Sequence, residues 1–154
     1  MDETAEHALF RGRIHLVTLL WMALKGAAYI GVGLTWLLLP SQTRAEGIAW
    51  LEYVTPEVVG WVWIGAGLLG VVASRLRAPS VRFQQAGWAA LIATPTIVGF
   101  YFFVAWLQFL LPGGHDGTSR GITTTIYAAT FALSAYLMAR VYALTLPEPP
   151  HKEP

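Results

Sequence analysis

The sequence contains no cysteine and has few charged residues. Without cysteine, the chain forms no disulfide, carries out no thiol chemistry and offers no thiolate to a zinc ion. Only 12% of the 154 residues are charged, whereas a soluble domain carries roughly 25%. The formal net charge of +1 gives no basic surface for a nucleic-acid partner. The shortage of charge is typical of a membrane protein.

The few charges are gathered into short segments. The stretches 14–43, 58–74, 83–115 and 121–139 together hold one charged residue, Lys25. A helix of about 20 apolar residues crosses a hydrocarbon core about 30 Å thick, because each residue adds 1.5 Å. We therefore predict an all-α, polytopic integral membrane protein with one four-span domain over residues 1–146. The predicted spans are 14–39, 57–74, 83–111 and 122–146.

The segment between the first two spans predicts a short helix. Thr43 and Glu46 have the spacing of a capping box, and the apolar residues that follow on one face are Ile48, Leu51 and Val54. The segment is too short to cross, so we expect an interfacial helix. Thr55 as N-cap and Pro56 in the first turn then predict the start of the second span. The tail 147–154 is rich in proline and charge, which predicts disorder.

Basic residues in the short flanks predict the orientation in the membrane. Seven fall on one side of the predicted spans, namely Arg11, Arg13, Arg75, Arg77, Arg82, Arg140 and Lys152, whereas Arg44 and Arg120 fall on the other. The side richer in arginine and lysine faces the cytoplasm, so we expect both termini inside an inner (cytoplasmic) membrane. The N-terminus is acidic before it is basic and has no small-residue cleavage site, so we expect no cleaved signal peptide.

A glycine-rich pattern occurs twice, as GAAYIGVGL from Gly26 and GWVWIGAGL from Gly60. Gly31 and Gly65 each lie eight residues from the outer end of their span, about 12 Å deep, so we expect them to meet at one depth. Small residues let membrane helices approach closely. Small-residue stripes run at four-residue spacing along both spans, Ala23, Ala27, Gly31 and Thr35 on the first and Ala66, Gly70 and Ser74 on the second.

These small residues predict helix packing, within one chain or between subunits. The candidate packing residues are Ala23, Ala27, Gly31, Gly33, Gly65, Gly67 and Gly70. The alternatives are a smooth wall beside a pore and an accidental similarity between two glycine-rich helices.

Lys25 is the one charge in the middle of a predicted span, about 16 Å from the inner end. A lysine at the centre of a span costs about 2.5–3.5 kcal/mol on insertion scales, and no Asp or Glu lies mid-span to pair with it. Its side chain either extends along the helix to the inner interface, or hydrogen-bonds a carbonyl, or acts as a pore or coupling residue. The candidate carbonyl is that of Leu91, because Pro95 kinks the third span and removes its helical donor.

The remaining polar residues do not form a recognisable catalytic set, and we expect a non-enzymatic protein without cofactor or metal. The four histidines lie outside the spans or at their edges, namely His7, His15, His115 and His151, which disfavours haem ligation. A small drug/proton exchanger requires a membrane-embedded carboxylate, and no Asp or Glu lies in the middle of a predicted span, which disfavours this class. The loop pair His115-Asp116 is too small a set to predict a metal site.

The stretches WMALKGAAYIGVGLTWLLLP and GIAWLEYVTPEVVGWVWIGAG carry a resemblance. In size, topology and charge layout the chain resembles the small four-span, holin-like membrane proteins of phages that infect actinobacteria. The resemblance implies self-association in the lipid bilayer of the host's inner membrane, timed permeabilisation and host cell lysis. The alternatives are a non-lytic accessory, assembly or exclusion protein that acts on a membrane-protein partner, and a small transporter.

Overall fold

The computed structural model describes residues 3–39, 41–49, 51, 53–75, 80–111 and 119–146. Within these ranges the regular structure is entirely helical, with α1 Glu3–Leu38, α2 Gln42–Ile48, α3 Pro56–Ala73, α4 Val81–Leu110 and α5 Gly121–Thr145. All except the short α2 are long and apolar enough to cross a membrane. The predicted all-α fold, with four candidate spans and a short helix between the first two, is confirmed.

The helix boundaries differ from the predicted spans mainly at the start of α1. This helix begins at Glu3, well before the predicted Ile14, and its apolar part begins at Leu9. The first residues include Ala, Glu and Leu, which favour a helix whether or not they are apolar. The helix therefore extends beyond the part that is apolar enough to cross. The tail 147–154 and the pair His115-Asp116 lie outside the described residues.

One of the two predicted helix caps is correct. Thr55 is the N-cap of α3, where its hydroxyl accepts a hydrogen bond from the Val58 amide at 3.4 Å, and Pro56 is the first helical residue. The cap predicted at Thr43 is wrong, because α2 begins at Gln42. Ser41 is the N-cap: its backbone is extended, and its carbonyl accepts from the amides of residues 44 and 45 at 3.1 Å each.

The four long helices form a ring in the order α1, α3, α4, α5. The most extensive contacts join α1 to α3 and α4 to α5, and α3–α4 and α1–α5 contacts close the ring. Met22, Tyr29, Leu91 and Phe102 are almost completely buried between the helices. The short α2 lies against α4 at the end where α1 stops, with Ile48 in the core. We call this end of the bundle the α2 end.

Two glycine pairs bring the backbones of α1 and α3 together. A Cβ added to Gly26 would lie 2.6 Å from the carbonyl oxygen of Gly67, and one added to Gly33 would lie 2.6 Å from that of Gly60. Gly26 and Gly60 occupy the same position of the repeated pattern, as do Gly33 and Gly67. The two copies of the pattern therefore pack against each other in antiparallel orientation, which gives the hairpin an approximate two-fold axis. This close approach, which side chains would prevent, explains the glycines at these four positions.

Candidate functional site

The structure places Gly31 and Gly65 on the outside of the hairpin. Both are exposed, and a Cβ added to either would meet nothing within 4 Å. The prediction that these two glycines meet is therefore wrong. The physical reason is rotation: Gly31 follows Gly26 by five residues, which turns it about 140° away from the α3 contact at 3.6 residues per turn. Equal depth in the membrane does not imply equal direction.

The two small-residue stripes face opposite ways. On α3, Ala66 and Gly70 are buried, and a Cβ on Gly70 would lie 3.1 Å from the Leu91 side chain, so this stripe packs inside the chain. On α1, Ala23 is half-buried, and Ala27 and Gly31 are exposed. Of the two kinds of packing predicted, packing within the chain does not hold for Ala27 and Gly31. We call Ala23, Ala27 and Gly31 the α1 outer stripe.

Lys25 turns into the bundle and contacts α5. Its side chain is only 7% exposed. The Nζ atom donates hydrogen bonds to the Ser134 hydroxyl at 2.6 Å and to the Phe131 carbonyl at 3.2 Å, and it lies 5.0 Å from the centre of the Phe131 ring. The side chain does not extend to the end of the bundle, so the snorkelling interpretation is wrong. Both hydrogen-bond partners are uncharged, so neither is an Asp or Glu that the sequence would single out as a partner for a lysine.

Pro95 does free a carbonyl on α4, but Lys25 does not use it. The hydroxyl of Tyr29 donates to the Leu91 carbonyl at 2.6 Å. The carbonyl predicted to need a donor is therefore the right one, and the donor predicted for it is wrong. Tyr29 carried no signal in the sequence, because an aromatic residue in an apolar run predicts only packing.

A second group of buried polar contacts lies at the end of the bundle opposite α2. The hydroxyl of Tyr142 donates to Gln84 Oε1, which joins α5 to α4. His15 Nδ1 lies 3.0 Å from the Thr145 hydroxyl, which itself donates to the Tyr142 carbonyl. A threonine hydroxyl has one hydrogen, so His15 is the donor to Thr145. These contacts pair donors with acceptors on neighbouring helices and tie α1 and α4 to α5.

The described residues contain no group of three or more His, Asp or Glu side chains placed to hold a metal. Comparison of this sequence with protein-family models, curated proteins and solved structures finds no match. The function proposed for the chain therefore depends on its own surfaces and interior.

Proposed function

We propose that the protein self-associates in the membrane through the α1 outer stripe and permeabilises the membrane in the manner of a holin. One observation carries this proposal: Ala27 and Gly31 are exposed on a helix that is apolar enough to cross a membrane. Lipid supplies no hydrophobic drive for helices to associate, so close packing of small residues drives it instead. A small-residue stripe that the chain leaves uncovered is a surface suited to a second copy.

The packed interior supports a lesion that forms between copies, with no passage through a single bundle. Met22 and Tyr29 have no exposed surface, and Leu91 fills the space beside them. Lys25, the residue considered for a pore or coupling role, is bonded to α5 within its own chain. In this proposal Lys25 is a buried contact between α1 and α5 within one chain, and the membrane opens where α1 helices of different copies meet.

The proposed location is the cytoplasmic membrane, with both termini inside. The seven basic residues on one side and two on the other support this orientation. The number of long helices supports termini on the same side: α1, α3, α4 and α5 are four candidate spans, and an even number returns the chain to the side from which it began.

Controlled expression in a bacterium tests the proposal, with growth and a membrane-potential dye as readouts. Wild-type protein is expected to stop growth and collapse the potential abruptly. Gly31→Leu is expected to delay or abolish the collapse at equal protein level, because leucine prevents close approach at the stripe. Gly65→Leu is the matched control, since Gly65 is an equally exposed glycine outside the stripe.

Two outcomes would contradict the proposal. Continued growth with a full membrane potential at high wild-type expression would reject permeabilisation and favour the non-lytic accessory protein. A collapse that Gly65→Leu abolishes and Gly31→Leu leaves unchanged would move the interface from α1 to α3.

A further inference from the structure

An aromatic pocket of about 300 Å³ lies at the α2 end of the bundle. Residues from all five helices line it, among them Trp36, Arg44, Trp63, Phe102, Tyr127 and Phe131. Tyr127 and Phe131 are also exposed on the surface of α5, at 65% and 38%. The pocket therefore has a side that faces the surroundings of α5, which for a membrane span are lipid chains. None of the α1 outer stripe lines it, so it is separate from the proposed self-association surface.

Arg44 brings a positive charge with unused donors to this pocket. Its Nη1 donates to the carbonyls of Thr35 at 2.5 Å and Leu39 at 3.2 Å, and its Nη2 donates to the Thr35 hydroxyl at 3.1 Å. A guanidinium has five N–H groups, so two remain after these three bonds. All three acceptors are uncharged, and none of the described residues that line the pocket is acidic. Glu57 lies in a neighbouring cleft that Trp36 and Arg44 also border.

Trp63 adds a buried indole ring to the same lining. The side chain is 5% exposed, and its Nε1 has no hydrogen-bond partner among the described residues. The Nε1 atom is itself buried, so Trp63 lines the pocket with the rest of its indole ring.

We propose that this pocket binds one acyl chain of an anionic phospholipid, with the lipid phosphate on Arg44. Arg44 lies beside the last turn of α1, where a membrane span reaches the level of the headgroups. A volume of about 300 Å³ holds roughly ten methylene groups, taking each to need about the 30 Å³ of a water molecule. That is enough for the upper part of one chain and too little for a whole lipid.

Tryptophan fluorescence provides the test, because bromine atoms on a lipid chain quench a nearby indole. The purified full-length protein in detergent is titrated with chain-brominated phosphatidylglycerol, and in parallel with phosphatidylcholine that carries the same chains. We expect saturable quenching by the anionic lipid at a concentration at least about tenfold lower, since a hydrogen bond to a charged group is worth about that factor or more. Trp63→Phe should lose a large part of the quenching.

Three variants separate the pocket from general charge attraction. Arg44→Gln should raise the half-saturating concentration about tenfold, whereas Arg13→Gln, an equal loss of charge far along α1, should leave it unchanged. Thr124→Phe fills the pocket from α5 with Arg44 intact and should abolish saturable quenching. This last variant matters because Arg44 also caps the end of α1, so its loss alone could act through stability.

Other outcomes overturn the assignment. Equal quenching by both lipids, or unchanged binding by Thr124→Phe, would reject an anionic lipid in this pocket. Saturable quenching by a chain-brominated free fatty acid, with no quenching by phosphatidylglycerol, would assign the pocket to a free fatty acid instead of a membrane lipid.

Discussion

Tyr29 on α1 donates a 2.6 Å hydrogen bond to the Leu91 carbonyl on α4, one turn before Pro95. Proline has no amide hydrogen, so this carbonyl lacks its usual helical partner. In the hydrocarbon region an unpaired carbonyl cannot turn to water and costs free energy. The contact therefore compensates for the proline and at the same time joins two helices that otherwise touch little.

The first prediction concerns this contact. Tyr29→Phe keeps the ring, which packs edge-on against Trp63 with 4.7 Å between ring centres, and removes only the donor. We expect it to lower the free energy of unfolding in mixed micelles by about 1 kcal/mol, since hydrogen bonds between membrane helices are worth about 0.6 kcal/mol and up to 1.7 kcal/mol. In a Pro95→Ala background the Leu91 carbonyl regains a helical donor. The cost of Tyr29→Phe should then fall by at least about 0.5 kcal/mol. An equal cost in both backgrounds would show that the hydroxyl does not act through this carbonyl.

The second prediction separates two glycines that lie two residues apart. Gly33→Ala places a methyl group 2.6 Å from the Gly60 carbonyl, so α1 and α3 must move apart, and we expect a loss of about 1–3 kcal/mol. The methyl group of Gly31→Ala would have no neighbouring atom within 4 Å, and alanine is the best helix former. The change should therefore leave the free energy of unfolding unchanged or raise it slightly. Thermal unfolding in detergent measures both. Equal losses at the two positions would contradict the pairing of Gly33 with Gly60.

The third prediction concerns the buried ammonium group. Lys25→Met keeps the length of the side chain and removes a charge that costs about 2.5–3.5 kcal/mol at the centre of a span. We expect it to insert at least as well as the wild type and to unfold no more easily. Ser134→Ala, in contrast, takes an acceptor from the buried Lys25 and should cost about 1–3 kcal/mol. In the Lys25→Met background the same serine change should be almost neutral. Strict additivity of the two changes would mean that this hydrogen bond contributes nothing.

The fourth prediction concerns topology. Reporters fused to the C-terminus and inserted in the loop 113–119 should report opposite sides of the membrane, with the C-terminus inside. Replacing Arg75, Arg77 and Arg82 by glutamine removes three of the seven inner basic residues and should produce a mixed orientation. A loop reporter that is active only in the cytoplasm would reverse the proposed orientation.

The sequence was sufficient to predict the helices because their signal is local. Apolar runs free of charge mark the spans, and Thr55-Pro56 marks a helix start that the structure reproduces. Depth along the membrane also follows from counting residues, since each adds 1.5 Å.

Rotation and partner choice did not follow from the sequence. A helix that is apolar on every side has no polar face to show which side lies inside. Gly31 and Gly33 were therefore equally good packing candidates. Only the folded hairpin shows that Gly33 faces α3. Lys25 was difficult for a related reason, because its partners are a serine and a backbone carbonyl, which are too common in the sequence to single out.

Disulfide cross-linking shows whether copies of the chain meet along the α1 outer stripe. The natural chain has no cysteine, so each single variant carries one thiol. Ala27→Cys lies on the stripe, and Leu133→Cys is the control on α5, where the side chain is 57% exposed. Oxidation in native membranes should link the Ala27→Cys protein into dimers much faster than the Leu133→Cys protein. Equal rates at the two positions, or no dimer at Ala27→Cys, would contradict self-association through the α1 outer stripe.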